Sequence, residues 1–443
     1  MPTQNAPESW FRTGEGLGLW EHRGKVVCVG LGVSPTARRW DERPETSVGA
    51  WSILAIRRAM EDAGVSPDQV DGLVMCPDTA TGSPWPPGKP IPEAFLKTFK
   101  PTDRILDGIT GLSAEWILQN TPELTNVKFT TYGSVCASRA LVVAAQAVGM
   151  GLTHTCLVLK GWHNLAGRYY VGQASAAEDT LSGRFKWAGP WGNVAVGTTA
   201  MVFDQYLRKY GKTREMMAPF IVNEKRNGSL FPEGFFYQHR PDELHITVED
   251  YLSARWLAKP ASLLDADLPV CVSAAFLFTT PERARDMKQK PVHILNVASN
   301  RDTPRSLYPT VEEHQDSSDK TGRIILEGAG VTSSDIDFDG FYDGYPQFHH
   351  FHIEGIRFAG INRGEGLDLY QTDISIEGPH PVSPSGGNQG CGRARFWNHL
   401  DAVQQLQGRA GARQMRKKLA IGVTGGPMPQ GGDYLVWSSV PPD

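Results

Sequence analysis

No stretch of the 443 residues reaches the roughly 18 consecutive apolar side chains that a membrane-spanning helix needs. No membrane span is expected. The opening residues, MPTQNAPESWFRTGEGLGLWEHRGK, lack an apolar h-region, so no secretory signal is expected either. Excess positive charge is missing too. The 44 Lys and Arg against 48 Asp and Glu leave a net charge of −4, without the basic field that draws nucleic acid. The six cysteines (Cys28, Cys76, Cys136, Cys156, Cys271 and Cys391) stand far apart, with no CxxC and no Cys/His zinc spacing. That usage argues against a disulfide scaffold and for a reducing, cytoplasmic setting. The segment GLGVSP (30–35) lacks the third glycine and the well-placed acid of a dinucleotide fingerprint.

What the sequence does contain is a repeated phrase. AMEDAGVSPDQVDGLV (59–74) is echoed by ILEGAGVTSSDIDFDGFY (325–342), with Ala63-Gly64-Val65 matching Ala329-Gly330-Val331. Each copy has the same surroundings. KVVCVGLGV (25–33) reads as a buried strand, 47–64 as an amphipathic helix stopped by Gly64, and VDGLVMC (70–76) as a strand. PVHILNVAS (291–299), helix material over 309–330 closed by Gly330, and IDFDGFYDG (336–344) repeat that order. Matching order and punctuation predict an internally duplicated α/β unit.

Between the copies, 127–161 reads as strand, tight turn, Ala-rich helix (138–149) and strand (155–160), and 268–280 as a core strand. Residues 163–260 are rich in Gly, Pro, Trp and Tyr and weakly periodic, which predicts an inserted loop domain covering a site. Residues 1–24 read as an N-terminal arm whose Trp10, Phe11 and Trp20 pack on the body or on a partner. The predicted divisions are the arm, a first half over 25–290 with the loop domain inside it, and a second half over 291–443.

Several local strings resemble the thiolase superfamily. YGSVCASRALVVAAQAVGMG is similar to the turn that presents a cysteine at the start of a buried helix. ITVEDYLSARWLAKPASLLDADLPVCVSAAFLFTTPERA (246–284) resembles the segment before the second half. FYDGYPQFHHFHIEGIRFAG (341–360) stands where sterol-carrier-type thiolases have His-Asp-Cys-Phe, and PVSPSGGNQGCGR (381–393) where they have Asn-x-x-Gly-Gly…Gly-His-Pro. The resemblance covers about 25–440. It implies a thiolase fold of two similar α/β halves in five layers, usually dimeric.

The departures from that pattern redirect the chemistry. Tyr342 replaces the first motif's histidine, Arg393 falls on the second, and the final glycine loop carries no cysteine. The YDG variant resembles the steroid side-chain-cleaving aldolases. That implies a carbon–carbon lyase splitting a β-hydroxyacyl-CoA into a ketone or aldehyde and a short acyl-CoA. The CoA thioester is the substrate, with no separate cofactor and no metal. The resemblance also implies a homodimer and a small zinc-ribbon/OB-fold partner protein. The alternatives are an acyl-CoA acetyltransferase or thiolase using Cys136, and a non-catalytic acyl-CoA-binding subunit.

For retro-aldol chemistry the candidate base is Tyr342, its phenol made basic by donors or nearby cations, or else a half-buried structural tyrosine. Tyr251 is the candidate assistant, or a helix-face aromatic. Asp343 either orients a relay or serves turn chemistry. Cys136 is either the nucleophile at a helix N-terminus or pocket wall, and the alignment allows Ser134 in its place. Gly425 and Gly426, with Gly387 and Asn388, are candidate oxyanion binders. Arg393 and His399 are candidate substrate contacts. His349, His350 and His352 cluster without a matching ligand set, which points to surface or partner contact.

Overall fold

The computed structural model describes residues 18–76, 85–86, 88–134, 136–167, 195–302 and 309–442. Strand β1 (Val27–Val33) leads into helix α1 (Val48–Ala63) and strand β2 (Gly72–Met75). Strand β3 (Phe129–Tyr132), helix α2 (Ala137–Gly149) and strand β4 (Thr155–Trp162) follow. Helices α3 (Ala195–Tyr210), α4 (Ala218–Gly228) and α5 (Val248–Ser253) precede a small ribbon, β5 (Trp256–Ala258) and β6 (Ala261–Ser262). Strand β7 (Val272–Thr279) closes the first half. The second half runs through β8 (Val292–Ser299), α6 (Val311–Ala329), β9 (Phe338–Phe341) and α7 (His349–Gly355). It ends with α8 (Gly387–Cys391), α9 (Trp397–Gln407), β10 (Ile421–Gly426) and β11 (Asp433–Ser438).

The repeated phrase has a repeated structure. Strands β2 and β9 occupy the same four positions of the two copies. Gly64 and Gly330 both end their helices in the left-handed region, at φ 71° and 65°. Each is followed by a one-turn helix with a capping box, Ser66–Gln69 in one copy and Thr332–Asp335 in the other. The main sheet runs β3-β2-β4-β7-β1-β8-β11-β10-β9. Read outward from the centre, β1-β7-β4-β2 and β8-β11-β10-β9 carry the same sequence of antiparallel, antiparallel and parallel pairings. The halves meet at the antiparallel pair β1–β8, Val27 opposite His293 and Cys28 opposite Val292.

Side-chain alternation sorts the strands between layers. Val27, Val29 and Leu277 face α1, with Ile53, Ile56 and Met60. Cys28, Phe276, Leu435 and Trp437 face the opposite way, onto α2 and α9. Tyr434 and Val436 face α6, α7 and α3. The nine-stranded sheet thus carries the central helices α2 and α9 on one side and outer helices of each half on the other. Each fully buried large aliphatic side chain contributes about 1.5–3 kcal/mol.

Two expectations change. The described part of the inserted segment is largely helical. Val202, Phe203, Tyr206 and Leu207 make one buried stripe of α3, and Phe220 and Ile221 anchor α4. Their helical spacing is diluted in sequence by the surrounding Gly, Pro and Trp. The histidines of α7 are core residues and not surface contacts: His349, His350 and His352 are all buried, because α3 and α6 cover that helix. Of the arm, Trp10 and Phe11 lie outside the described residues. Trp20 packs on the central core, and its N–H donates to the Gly328 carbonyl at 2.8 Å.

Candidate functional site

A small cavity opens where α2 of the first half meets the second half. The N-terminus of α2 brings Cys136 and Ser138, and the end of β9 brings Tyr342. The 386–396 loop contributes Asn388, Arg395 and Phe396, α9 contributes Asn398 and His399, and the end of β10 contributes Gly425, Gly426 and Pro427. The halves touch here directly: Ser138 Oγ donates to the Gly426 carbonyl at 3.4 Å.

Tyr342 is held at the tip of β9 by its N–H, which donates to the Gly425 carbonyl at 2.8 Å. Burial pushes its phenol well above the usual range. Arg395 and Arg393 pull it down, while Asp267 and Tyr345 push it up. The expectation of a phenol made basic by cations is corrected accordingly: burial wins, and the hydroxyl is neutral.

Sequence reasoning missed Arg395. Its guanidinium stands 5.7 Å from the Tyr342 ring and 5.1 Å from that of Trp162, and Nη1 lies 3.6 Å from Cys136 Sγ. Its backbone is left-handed, at φ 61°, a conformation that costs a non-glycine residue about 1–2 kcal/mol. Asn388 holds it there, Oδ1 accepting from the N–H groups of Ala394 (3.0 Å) and Arg395 (2.9 Å). Asp343 in turn orients Asn388, its carboxylate accepting from Asn388 Nδ2 at 2.8 Å and from Gln389 N–H at 2.7 Å. Gly387, at φ 52°, lacks the Cβ that would collide with that carboxylate. Asp343 and Gly387 therefore build the loop, and neither lines the cavity. The only sequence hint to Arg395 was a second arginine two residues beyond Arg393.

Arg393 is not a cavity residue either. Its guanidinium is buried against Asp267, Nε donating to Oδ1 at 2.6 Å. Tyr251 is a further correction. It is fully buried outside the cavity lining, its hydroxyl donating to Asp265 Oδ1 at 2.8 Å and its ring stacked by Arg214 at 4.1 Å. The hydrophobic packing of α5 against α4 takes it away from the cavity. Cys136, and not Ser134, lines the cavity, at the N-cap of α2. Burial lowers His399 to about 3, so its imidazole is neutral, with Nδ1 2.7 Å from Thr424 Oγ1. Gly425 and Gly426 line the wall, but Pro427 beyond them has no N–H to offer. Among the described residues no carboxylate lines this cavity. Its polar side chains are a thiol, a phenol, a guanidinium, a neutral imidazole, two amides and a hydroxyl.

Duplicated halves with a cavity at their junction define a thiolase-fold protein, and residues 310–430 match the family of thiolase C-terminal domain-like sequences. The chain covers 96% of its length on human mitochondrial 3-ketoacyl-CoA thiolase in complex with CoA, and all of that chain, at a TM-score of 0.62 and 13% identity. Its sequence is also similar to steroid side-chain-cleaving aldolases. It is 26% identical to the steroid side-chain-cleaving aldolase of Thermomonospora curvata, over 87% of this chain and 91% of the relative. It is 25% identical to the 17-hydroxy-3-oxo-4-pregnene-20-carboxyl-CoA lyase of Mycobacterium tuberculosis, over 87% and 92%. The Ltp2-ChsH2(DUF35) aldolase structure superimposes at a TM-score of 0.75 with 21% identity, covering 94% of this chain and 98% of that one.

Proposed function

We propose that the protein is a carbon–carbon lyase that cleaves a β-hydroxyacyl-CoA, with a steroid-derived acyl group, by retro-aldol chemistry. The observation that carries this is the cavity's inventory: a neutral phenol and a guanidinium face the space where condensing thiolases need imidazole and thiolate. Tyr342 Oη takes the β-hydroxyl proton as the Cα–Cβ bond breaks. Arg395 and the neutral His399 hold the thioester oxygen as it becomes an enolate. Each preorganised donor of this kind is worth on the order of 3 kcal/mol. The substrate is the CoA thioester itself, with no separate cofactor.

A homodimer, a heteromeric complex with a small zinc-ribbon/OB-fold partner and a cytoplasmic setting are part of the same proposal. The two-component name of the Ltp2-ChsH2(DUF35) aldolase supports the partner. Among the described residues no helix is long and apolar enough to cross a membrane.

The test is incubation with the acyl-CoA named for the Mycobacterium relative, followed by detection of a ketosteroid and a short acyl-CoA. Tyr342→Phe removes one oxygen and should lower kcat by about 100-fold or more while the thermal midpoint stays near that of wild type. Unchanged turnover in that variant removes Tyr342 from the mechanism. A second reading, acyl transfer through Cys136, draws on the guanidinium 3.6 Å from its sulfur. An acyl-cysteine at position 136, found by mass spectrometry after substrate addition, favours transfer; carbonyl product without it favours the lyase.

A further inference from the structure

A neutral phenol can accept the substrate's proton only if its own proton leaves in the same step. That second proton needs an acceptor next to the phenol. Near Tyr342, outside the cavity lining, lies the buried pair Asp267–Arg393. Arg393 is anchored at both ends, its N–H donating to the Leu268 carbonyl at 2.7 Å and its Nε to Asp267 Oδ1 at 2.6 Å. That fixes the Asp267 carboxylate beside Tyr342, whose phenol feels its charge. The residue between them is Gly344. A Cβ built there would collide with Tyr342 Oη and Asp267 Oδ2 at once, so both oxygens border the space that one methyl would fill.

We infer that Asp267 is a positioning residue for proton transfer, taking the Tyr342 proton through this gap and returning it. The inference rests on the retro-aldol reading. In the first step the β-hydroxyl O–H breaks, its proton passes to Tyr342 Oη, and the Tyr342 proton passes to Asp267 Oδ2. The oxygen electrons form the new carbonyl, the Cα–Cβ bond breaks, and its pair remains on the thioester enolate. In the second step Tyr342 gives a proton to the enolate Cα and recovers one from Asp267. No proton is gained or lost over the cycle, and nothing is oxidised. Arg393 holds Asp267 and Arg395 faces Tyr342 in the cavity; Asp343 and Tyr345 are further titratable groups near the relay.

The test is the pH dependence of kcat between pH 6 and 10, on the full chain with any required partner present. The substrate is the acyl-CoA named for the Mycobacterium relative. Asp267→Asn should lose about 100-fold at pH 7.5 with KM little changed, and its kcat should then climb about tenfold per pH unit as solvent replaces the carboxylate. Gly344→Ala keeps the Asp267–Arg393 pair but fills the gap, and should show the same climbing profile even if Asp267→Asn does not fold. Profiles that run parallel to wild type in Gly344→Ala, lowered by a constant factor or not at all, overturn the relay. Wild-type protein that forms no ketosteroid brings down the lyase reading and the relay with it; wild-type turnover with parallel variant profiles brings down the relay alone.

Discussion

Arg395 sits in a conformation that its side chain makes costly, and the cavity is the reason. Replacing it with alanine removes the guanidinium but keeps the left-handed strain, whereas replacing it with glycine removes both. Arg395→Gly and Arg395→Ala should therefore lose similar activity, on the order of 100-fold in kcat. The glycine variant should be the more stable of the two by about 1 kcal/mol in urea unfolding. The opposite pattern is expected at Tyr251. Tyr251→Phe leaves the buried Asp265 without one of its donors and should cost about 1–3 kcal/mol of stability. Its kcat should stay within a few-fold of wild type, as steady-state kinetics will show. The two residues also show what could be read from sequence. Tyr342 was legible because the two copies diverge there, plain core in one and polar in the other. Arg395 was not, since its orientation depends on a single backbone rotation and on the hydrogen bond its N–H donates to Asn388. Tyr251 was placed by resemblance, and packing that no local pattern records took it elsewhere.

At the level of elements, the duplicated punctuation has a cost that can be measured. Gly64 and Gly330 stop equivalent helices in the same left-handed turn, so Gly64→Ala and Gly330→Ala should each destabilise by about 1 kcal/mol in chemical denaturation. The second should cost more, because a Cβ at Gly330 meets Leu19 at 2.7 Å, whereas one at Gly64 meets Lys288 at 3.2 Å. The regular elements of both halves were legible, since apolar period and helix stops agree in each copy. Helices α3 and α4 were not: their buried stripes are short and lie among residues that read as loop. Nor did the sequence reveal that three histidines of one short helix would be interior, a consequence of α6 lying over α7.

For the whole molecule, buried imidazoles make the fold sensitive to acid. Burial lowers His314 to about 4 and His352 to about 3, against an ordinary value of 6.5. The unfolded chain binds these protons below about pH 6.5 and the folded chain does not, so they draw stability down as pH falls from there towards 4. Buried carboxylates such as Glu224 and Asp343, held above their usual range by burial, act in the opposite direction, favouring the fold at low pH and penalising it as pH rises. A substitution isolates one term. His314 packs against Phe348 and Phe351, with both ring centroids 5.1 Å away, and His314→Phe keeps an aromatic ring there. Between pH 6.5 and 4 this variant should lose stability less steeply than wild type, by up to about 1.4 kcal/mol per pH unit, measured by urea unfolding at each pH.

The hydrogen-bonded seam between β1 and β8 has a final consequence for what can enter. The halves are stitched into one continuous sheet, so they do not swing apart as clamshell enzymes do around a hinge. The small chamber at their junction has room for only a few atoms, so the bulk of any large ligand stays outside it. Selectivity for the bulky end of a ligand then belongs to the rim, while the interior sets only the reaction.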